Sequence, residues 1–261
     1  MIKLVASDID GTLLPEGTDK INPEIFEIIR ALKEKGIMFA AASGRQYASM
    51  RYVFEPVADD IIFIAENGSN VMCRGQNMSS SFIDREVAEE LLWCMRAQEN
   101  TDILLCTPEI MYLETKNPGF QAFMEEGYHN RVERVEDLLP YCSRTNKMSI
   151  YRESGIDELG AQLKEKFGSR LNVTIAGFVW VDFMNFSVDK GSALREIQRI
   201  MNISVEETMA FGDNCNDIEL LRQAGESYAV ANAHPQLKEA AKHIAPSQEE
   251  DGVLQVLRTM L

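Results

Sequence analysis

The chain has 261 residues, 45% of them hydrophobic and 26% charged, enough apolar material for one large or two modest cores and too much for a disordered segment. Its 26 Lys and Arg stand against 41 Asp and Glu, a formal charge of −15, which argues against a surface built for nucleic acid or for an anionic membrane. A small phosphorylated molecule is not excluded, because one metal ion and one lysine reverse the sign locally.

In chain order, Ile2, Leu4, Val5 and Ala6 read as a short strand buried on both faces, with Asp8 at its end and Asp10 two residues later. Asn22-Pro23 opens a helix carrying Ile25, Ile28, Ile29 and Leu32, which Gly36 closes. A second strand, Ile37 to Ala42, leads into Ser43-Gly44-Arg45. A helix from Tyr47 to Glu55 precedes a third strand, Ile61 to Ala65, and Glu66-Asn67-Gly68. This alternation predicts a doubly wound parallel sheet. The pattern then changes. Asn70–Cys73 and Met78–Phe82 flank a hairpin turn, Arg74-Gly75-Gln76-Asn77. Asp84 reads as the N-cap of a helix through Leu91 and Met95. Strands are expected near Ile103–Cys106, Met111–Glu114, Lys147–Tyr151, Leu171–Ile175 and Phe178–Phe183, with helices at Phe120–Glu126 and Ile156–Phe167. The first pattern resumes at Asp189-Lys190-Gly191-Ser192, which opens a helix, followed by the capping box Ser204-x-x-Glu207 and a strand Thr208–Phe211. That strand ends in Gly212-Asp213-Asn214-Cys215-Asn216-Asp217. A helix through Ile218 and Leu221, a strand Ser227–Ala231 and helices from Pro235 and Gly252 follow. The expected division is therefore a core of residues 1–83 and 185–261, interrupted by an α/β insertion at 84–184.

The five cysteines, at 73, 94, 106, 142 and 215, show no C-x-x-C pairing and read as reduced thiols of a cytoplasmic protein. His129, His234 and His243 fall outside the polar clusters, which sets aside His-based catalysis and His-ligated zinc. The first strand begins at once, so no signal peptide is expected, and no apolar run approaches membrane-spanning length.

Parallel topology carries the polar groups at four element ends to one edge of the sheet: Asp8 and Asp10; Ser43; Lys190; Asp213, Asn216 and Asp217. Taken singly, Asp10 is a helix cap, Ser43 a turn residue, Lys190 a solvated lysine and Gly212–Asp217 a capped loop. Together they supply what metal-assisted phosphoryl transfer needs: a carboxylate nucleophile, an acid or base, ligands for a hard cation such as Mg²⁺, and donors for phosphoryl oxygens.

Asp8-Ile-Asp10-Gly-Thr12, the apolar run into Ser43-Gly44-Arg45, Asp189-Lys190-Gly191-Ser192 and Gly212-Asp213-x-x-Asn216-Asp217 resemble the four motifs of the haloacid dehalogenase superfamily. Asn67-Gly68, Val230-Ala-Asn232-Ala233 and the inserted segment resemble its Cof-type, or subclass IIB, branch. The resemblance implies a Rossmann-like core with an α/β cap. It implies Asp8 as the nucleophile that becomes an aspartyl-phosphate, and Asp10 as general acid and then base. Mg²⁺ would sit on Asp8, the backbone carbonyl of Asp10, and Asp213. Ser43, the amides of Gly44 and Ile9, Lys190 and Asn216 would hold the phosphoryl group. Thr12 and Arg45 would support the site, and Asp217 would orient Lys190 or a metal-bound water.

The approach to the third motif, Val181-Asp182-Phe183-Met184-Asn185-Phe186, departs from the family pattern, and Phe183, Asn185 and Phe186 are expected to pack cap against core. The expected protein is a Mg²⁺-dependent phosphatase of small phosphorylated metabolites, chiefly sugar phosphates, monomeric or weakly dimeric. The rival readings are a phosphomutase or phosphotransferase on the same scaffold and a non-catalytic sensor. The inserted segment is expected to act as a lid that selects substrate and does no chemistry.

Overall fold

The structure is a computed structural model that describes residues 1–176 and 178–261. Its strands in chain order are β1 (Leu4–Asp8), β2 (Met38–Ala42), β3 (Ile62–Ala65), β4 (Asn70–Cys73), β5 (Gln76–Ser80), β6 (Asp102–Cys106), β7 (Met111–Glu114), β8 (Val132–Arg134), β9 (Lys147–Tyr151), β10 (Leu171–Ala176), β11 (Trp180–Asn185), β12 (Thr208–Gly212), β13 (Glu226–Val230) and β14 (His243–Ala245). Its α-helices are α1 (Glu24–Glu34), α2 (Tyr47–Val53), α3 (Arg85–Arg96), α4 (Pro118–Ala122), α5 (Ile156–Phe167), α6 (Lys190–Met201), α7 (Ile218–Arg222), α8 (Pro235–Ala240) and α9 (Gly252–Arg258). The chain forms two compact units, one of Met1–Ser79 with Asp189–Leu261 and one of Ser80–Val188.

The first unit is built on a sheet of order β14-β13-β12-β1-β2-β3-β4-β5. From β14 to β3 every neighbouring pair is parallel, and β4 returns antiparallel to β3. β1 is buried on both faces, as an apolar run in the middle of a parallel sheet must be. On α1, Ile25, Ile28, Ile29 and Leu32 form the buried stripe, and Asn22 Oδ1 accepts the Glu24 amide at 3.0 Å to open it. The chain winds outward from β1 to β3 on one side and from β12 to β14 on the other. The order therefore reverses between β1 and β12, where ligands bind in sheets of this class. Register fixes what stands there. Ser7 pairs with Phe211 and Asp8 with Ala42, so Asp8, Ser43 and Gly212-Asp213 emerge side by side.

The second unit has a sheet of order β10-β11-β9-β6-β7-β8, antiparallel except for the β7–β8 pair. Period-two alternation sends Ile103, Leu105, Met148, Ile150 and Phe183 to a core with Leu91 of α3 and Leu159 and Leu163 of α5. Leu104, Cys106 and Leu113 pack on the opposite face with Phe120 and Met124.

Several local expectations are corrected. The hairpin turn is only Arg74-Gly75, with φ of 51° and 74°; two adjacent left-handed residues make the tight hairpin turn, so β5 starts earlier, at Gln76. The Tyr47 helix stops at Val53, before the 3₁₀ turn Glu55–Val57 that contains Pro56. The helix expected from Phe120 starts at Pro118, capped by Asn117, and passes into a π-turn at Phe123–Gly127. β8 and β14 are additional strands of three residues each, too short to show a period. Phe183 lies in the second unit's own core, edge-on to Phe167, whereas Phe186 is 61% exposed in a turn. That turn is closed by Asn185 Oδ1, which accepts the Ser187 amide at 3.2 Å.

The helix that carries Lys190 is held against α7 by the absence of a side chain at Gly191, where a Cβ would stand 2.3 Å from the Glu219 carbonyl oxygen. Backbone cannot yield as a side-chain end does. Gly191→Ala is expected to lower stability by about 1–3 kcal/mol in urea denaturation, and an unchanged midpoint would show that the two helices are not in this contact.

Candidate active site

Asp189 is extended and caps α6, its Oδ1 accepting the Ser192 amide at 2.6 Å while Ser192 Oγ accepts the Asp189 amide at 3.0 Å. The cap fixes where the helix begins, and Lys190, its first residue, is aimed inward with 1% exposure. A buried ammonium is costly unless paired. Lys190 Nζ donates to Asp8 Oδ1 at 2.5 Å and to Asp217 Oδ1 at 2.6 Å. Burial acts to lower the lysine's pKa, but the charges of Asp217 and Asp8 outweigh it and hold the pKa above the ordinary value.

Asp217 is itself fully buried and satisfied. A 3₁₀ turn, Cys215–Asp217, folds it back beneath β12, and its Oδ2 accepts the amides of Asp213 at 3.0 Å and Asn214 at 3.1 Å. Asp8, Asp213 and Asp217 each place a carboxylate oxygen within 4.8 Å of the others. Asp213 also accepts from Thr12 Oγ1 at 3.3 Å. Gly11, at φ +81°, lets Asp213 come this close, since a Cβ there would stand 2.3 Å from Asp213 Oδ2. Burial, then the charge of Asp217, pushes Asp213 up to about 6. Burial and the same neighbour hold Asp8 well above the usual carboxylate range despite Lys190.

This donor set fits a hard divalent cation. The ligands are all oxygen, and three carboxylates converge where one lysine pairs with only two of them.

Asp10 faces a different partner. Arg45 Nε donates to Asp10 Oδ2 at 3.0 Å and Nη2 to Oδ1 at 2.7 Å, and Ser43 Oγ donates to Oδ2 at 3.3 Å. Arg45 Nη1 also reaches Asp19 Oδ1 at 2.5 Å, and Nη2 the Thr18 carbonyl at 2.7 Å. Burial acts to lower the Arg45 pKa, and the Asp10 and Asp19 carboxylates more than offset it.

The structure thus groups the expected residues in two sets: Asp8, Lys190, Asp213, Asp217 and Thr12 in one, Asp10, Ser43 and Arg45 in the other. The converging carboxylates include Asp217, while the Asp10 side chain turns to Arg45. Ile9 is buried, and its carbonyl accepts the Leu13 amide at 2.8 Å to close the turn after β1. Asn216 Nδ2 donates to Asn67 Oδ1 at 3.1 Å, and a Cβ on Gly44 would lie 3.2 Å from Asn67 Nδ2.

Some participants were not anticipated. Asp19 lies in a loop without periodicity and leaves no signal. Asn232 Nδ2 donates to the Gly11 carbonyl at 2.8 Å, so the Val230–Ala233 stretch gains a contact role. His234, set aside as remote, borders the fourth motif: its amide donates to the Asp213 carbonyl at 2.7 Å, and its Nδ1 is 3.3 Å from Cys215 Sγ. Sequence distance hid it, because the loop after β13 returns beside that of β12.

A family model described as haloacid dehalogenase-like hydrolase matches residues 5–257. The chain is 31% identical to the 5-amino-6-(5-phospho-D-ribitylamino)uracil phosphatase of Escherichia coli K12, over all of this chain and 96% of that protein. It is 27% identical to the HMP-PP phosphatase of Serratia proteamaculans, over 91% and 87% of the two chains. A crystal structure of a protein from Eubacterium rectale superposes with a TM-score of 0.89 at 30% identity, covering 100% of this chain and 99% of that one.

Removing the lysine tests the charge balance of the site. Lys190→Met leaves Asp8 and Asp217 buried without their cation, and breaking a buried pair costs about 3–5 kcal/mol. Urea denaturation in EDTA is expected to show that loss, and added Mg²⁺ to recover part of it. A loss below about 1 kcal/mol, the scale of an exposed pair, would contradict the assignment of Lys190 as the site's internal counter-ion.

Proposed function

The chain belongs to the haloacid dehalogenase-like hydrolases and is a phosphoric monoester hydrolase, and from that premise we propose a Mg²⁺-dependent phosphatase of small phosphorylated metabolites, with sugar phosphates as the substrate class, acting through an aspartyl-phosphate on Asp8. The observation that carries the reading is the state of Asp8. One oxygen is fixed by Lys190, and the other is buried beside two further carboxylates with no hydrogen-bond partner among the described residues.

In this reading Asp8 Oδ2 attacks phosphorus, and the bond from phosphorus to the leaving oxygen breaks. Asp10 gives that oxygen its proton, then removes a proton from the water that attacks the phosphoryl group and frees Asp8. Arg45 and Ser43 hold Asp10 in place. Mg²⁺, held by Asp8 and Asp213 with the Asp10 carbonyl, would neutralise charge on the phosphoryl oxygens. Lys190, Ser43, Asn216 and the amides of Ile9 and Gly44 bind those oxygens. Asp217 orients Lys190 through its 2.6 Å contact.

The Ser80–Val188 unit contains none of these residues, and substrate selection is assigned to it. The named substrate of the E. coli relative carries its phosphate on a ribityl chain, which supports a phosphorylated sugar or sugar alcohol. The five cysteines are free thiols, which supports a cytoplasmic location. Among the described residues no helix is long and apolar enough to cross a membrane.

Steady-state assays separate the two N-terminal carboxylates. Asp8→Asn is expected to abolish phosphate release from every substrate. Asp10→Asn is expected to slow alkyl phosphates by about 10²–10⁴-fold, and an aryl phosphate with a good leaving group by less. Turnover that persists in excess EDTA, or an active Asp8→Asn variant, would contradict the proposal.

A further inference from the structure

Glu66-Asn67-Gly68, the turn after β3, has no part in the chemistry just described, yet it touches three of the four other loops of the site, those after β2 and β12 and the start of α6. Its residues have φ of 52°, 55° and 102°, three consecutive left-handed positions, two of them not glycine. Its backbone is tied to the loop after β2: the Asn67 amide donates to the Ser43 carbonyl at 2.9 Å and the Glu66 amide to the Arg45 carbonyl at 2.9 Å. Gly68 lies against the cap of α6, where a Cβ would stand 2.3 Å from the Asp189 carbonyl oxygen. The Asn67 side chain, 7% exposed, reaches the loop after β12 by accepting from Asn216 Nδ2 at 3.1 Å, and its own Nδ2 lies beside Gly44.

We propose that Asn67 is a positioning residue for phosphoryl binding: its carboxamide sets the orientation of Asn216 and the spacing of Asn216 from the Ser43–Gly44 loop. The inference rests on the phosphatase reading and adds to it a residue that need not touch substrate. The physical argument is geometric. Asn216 sits on an exposed 3₁₀ turn, and an amide there has several rotamers. A hydrogen bond to Oδ1 of a buried, backbone-locked asparagine removes that freedom before the anion arrives, which lowers the entropy lost on binding. The left-handed backbone is the reason for asparagine: it tolerates φ near 55° and still supplies both an acceptor and a donor, which glycine cannot.

The test is a double-mutant cycle between Asn67 and Asn216, read by kcat/KM and by inhibition with inorganic phosphate. Asn67→Gly keeps the backbone unstrained and removes only the side chain. The expected result is a fall of about 10- to 100-fold in kcat/KM, carried mainly by KM, with phosphate inhibition weakened in parallel. Asn67→Gly with Asn216→Ala is expected to be no worse than Asn216→Ala alone, the signature of two residues acting as one. Wild-type constants for Asn67→Gly, or effects that simply add, would overturn the inference. If Asn67→Gly melts early, the same cycle is read at a temperature where circular dichroism shows the variant folded, and wild-type constants there overturn the inference. Wild-type turnover is measured first. A wild type that releases no phosphate overturns the phosphatase reading and this inference with it, whereas an active wild type matched by Asn67→Gly overturns this inference alone.

Discussion

The ammonium of Lys190, buried between Asp8 and Asp217, is the interaction on which the site depends. A lysine at 1% exposure persists only where its solvation is replaced in full. That requirement fixes three elements at once. β1 must end at Asp8, α6 must begin at Lys190 under its Asp189 cap, and the turn after β12 must fold Asp217 back under its own strand. Each is met by local chemistry: an apolar strand that runs out at its first carboxylate, a capping box, and two amides that Asp217 accepts.

The charges divide into two groups with different work. Lys190 serves Asp8 and Asp217, and Arg45 serves Asp10 and Asp19. Asp213 is left to Thr12 Oγ1, and burial with the neighbouring Asp217 raises its pKa to about 6. Five carboxylates therefore face two cations, a local surplus of negative charge that a divalent metal would offset. The division also separates the two N-terminal aspartates that sequence spacing presents as a pair. One keeps a buried oxygen with no hydrogen-bond partner among the described residues, and the other is held by a guanidinium and a hydroxyl.

Much of the core was legible because a parallel sheet buried on both faces writes itself as apolar runs, and amphipathic helices as stripes. β1, β2, β3 and β12 were located within a residue or two on that ground, α1 by its stripe and its opening Asn-Pro, and α6 by its Asp189 start. β8 and β14 were not, because three residues at a sheet edge carry no period. The site was legible where it depends on topology, since the end of each strand in a doubly wound sheet is a predictable place. It was not legible where it depends on how a loop folds. The spacing of Gly212–Asp217 does not itself say that Asp217 turns inward to Lys190, a contact only the family resemblance implied, and nothing in the sequence says that Arg45 reaches across to Asp19. His234 shows the same limit: it lies nineteen positions after Cys215 in sequence, and only the parallel pairing of β12 with β13 brings their loops together.

The central claim is that the unsatisfied oxygen of Asp8 is the nucleophile. The most direct test is to mix the Asp10→Asn variant, which should stall the second step, with Mg²⁺ and an activated aryl phosphate, quench in acid, and locate the added phosphoryl group by peptide mass spectrometry. The account predicts a phosphoryl group on Asp8 and none when Asp8 is replaced by Asn. A phosphoryl group on any other residue would contradict it, as would turnover that continues with Asp8 intact but never modified.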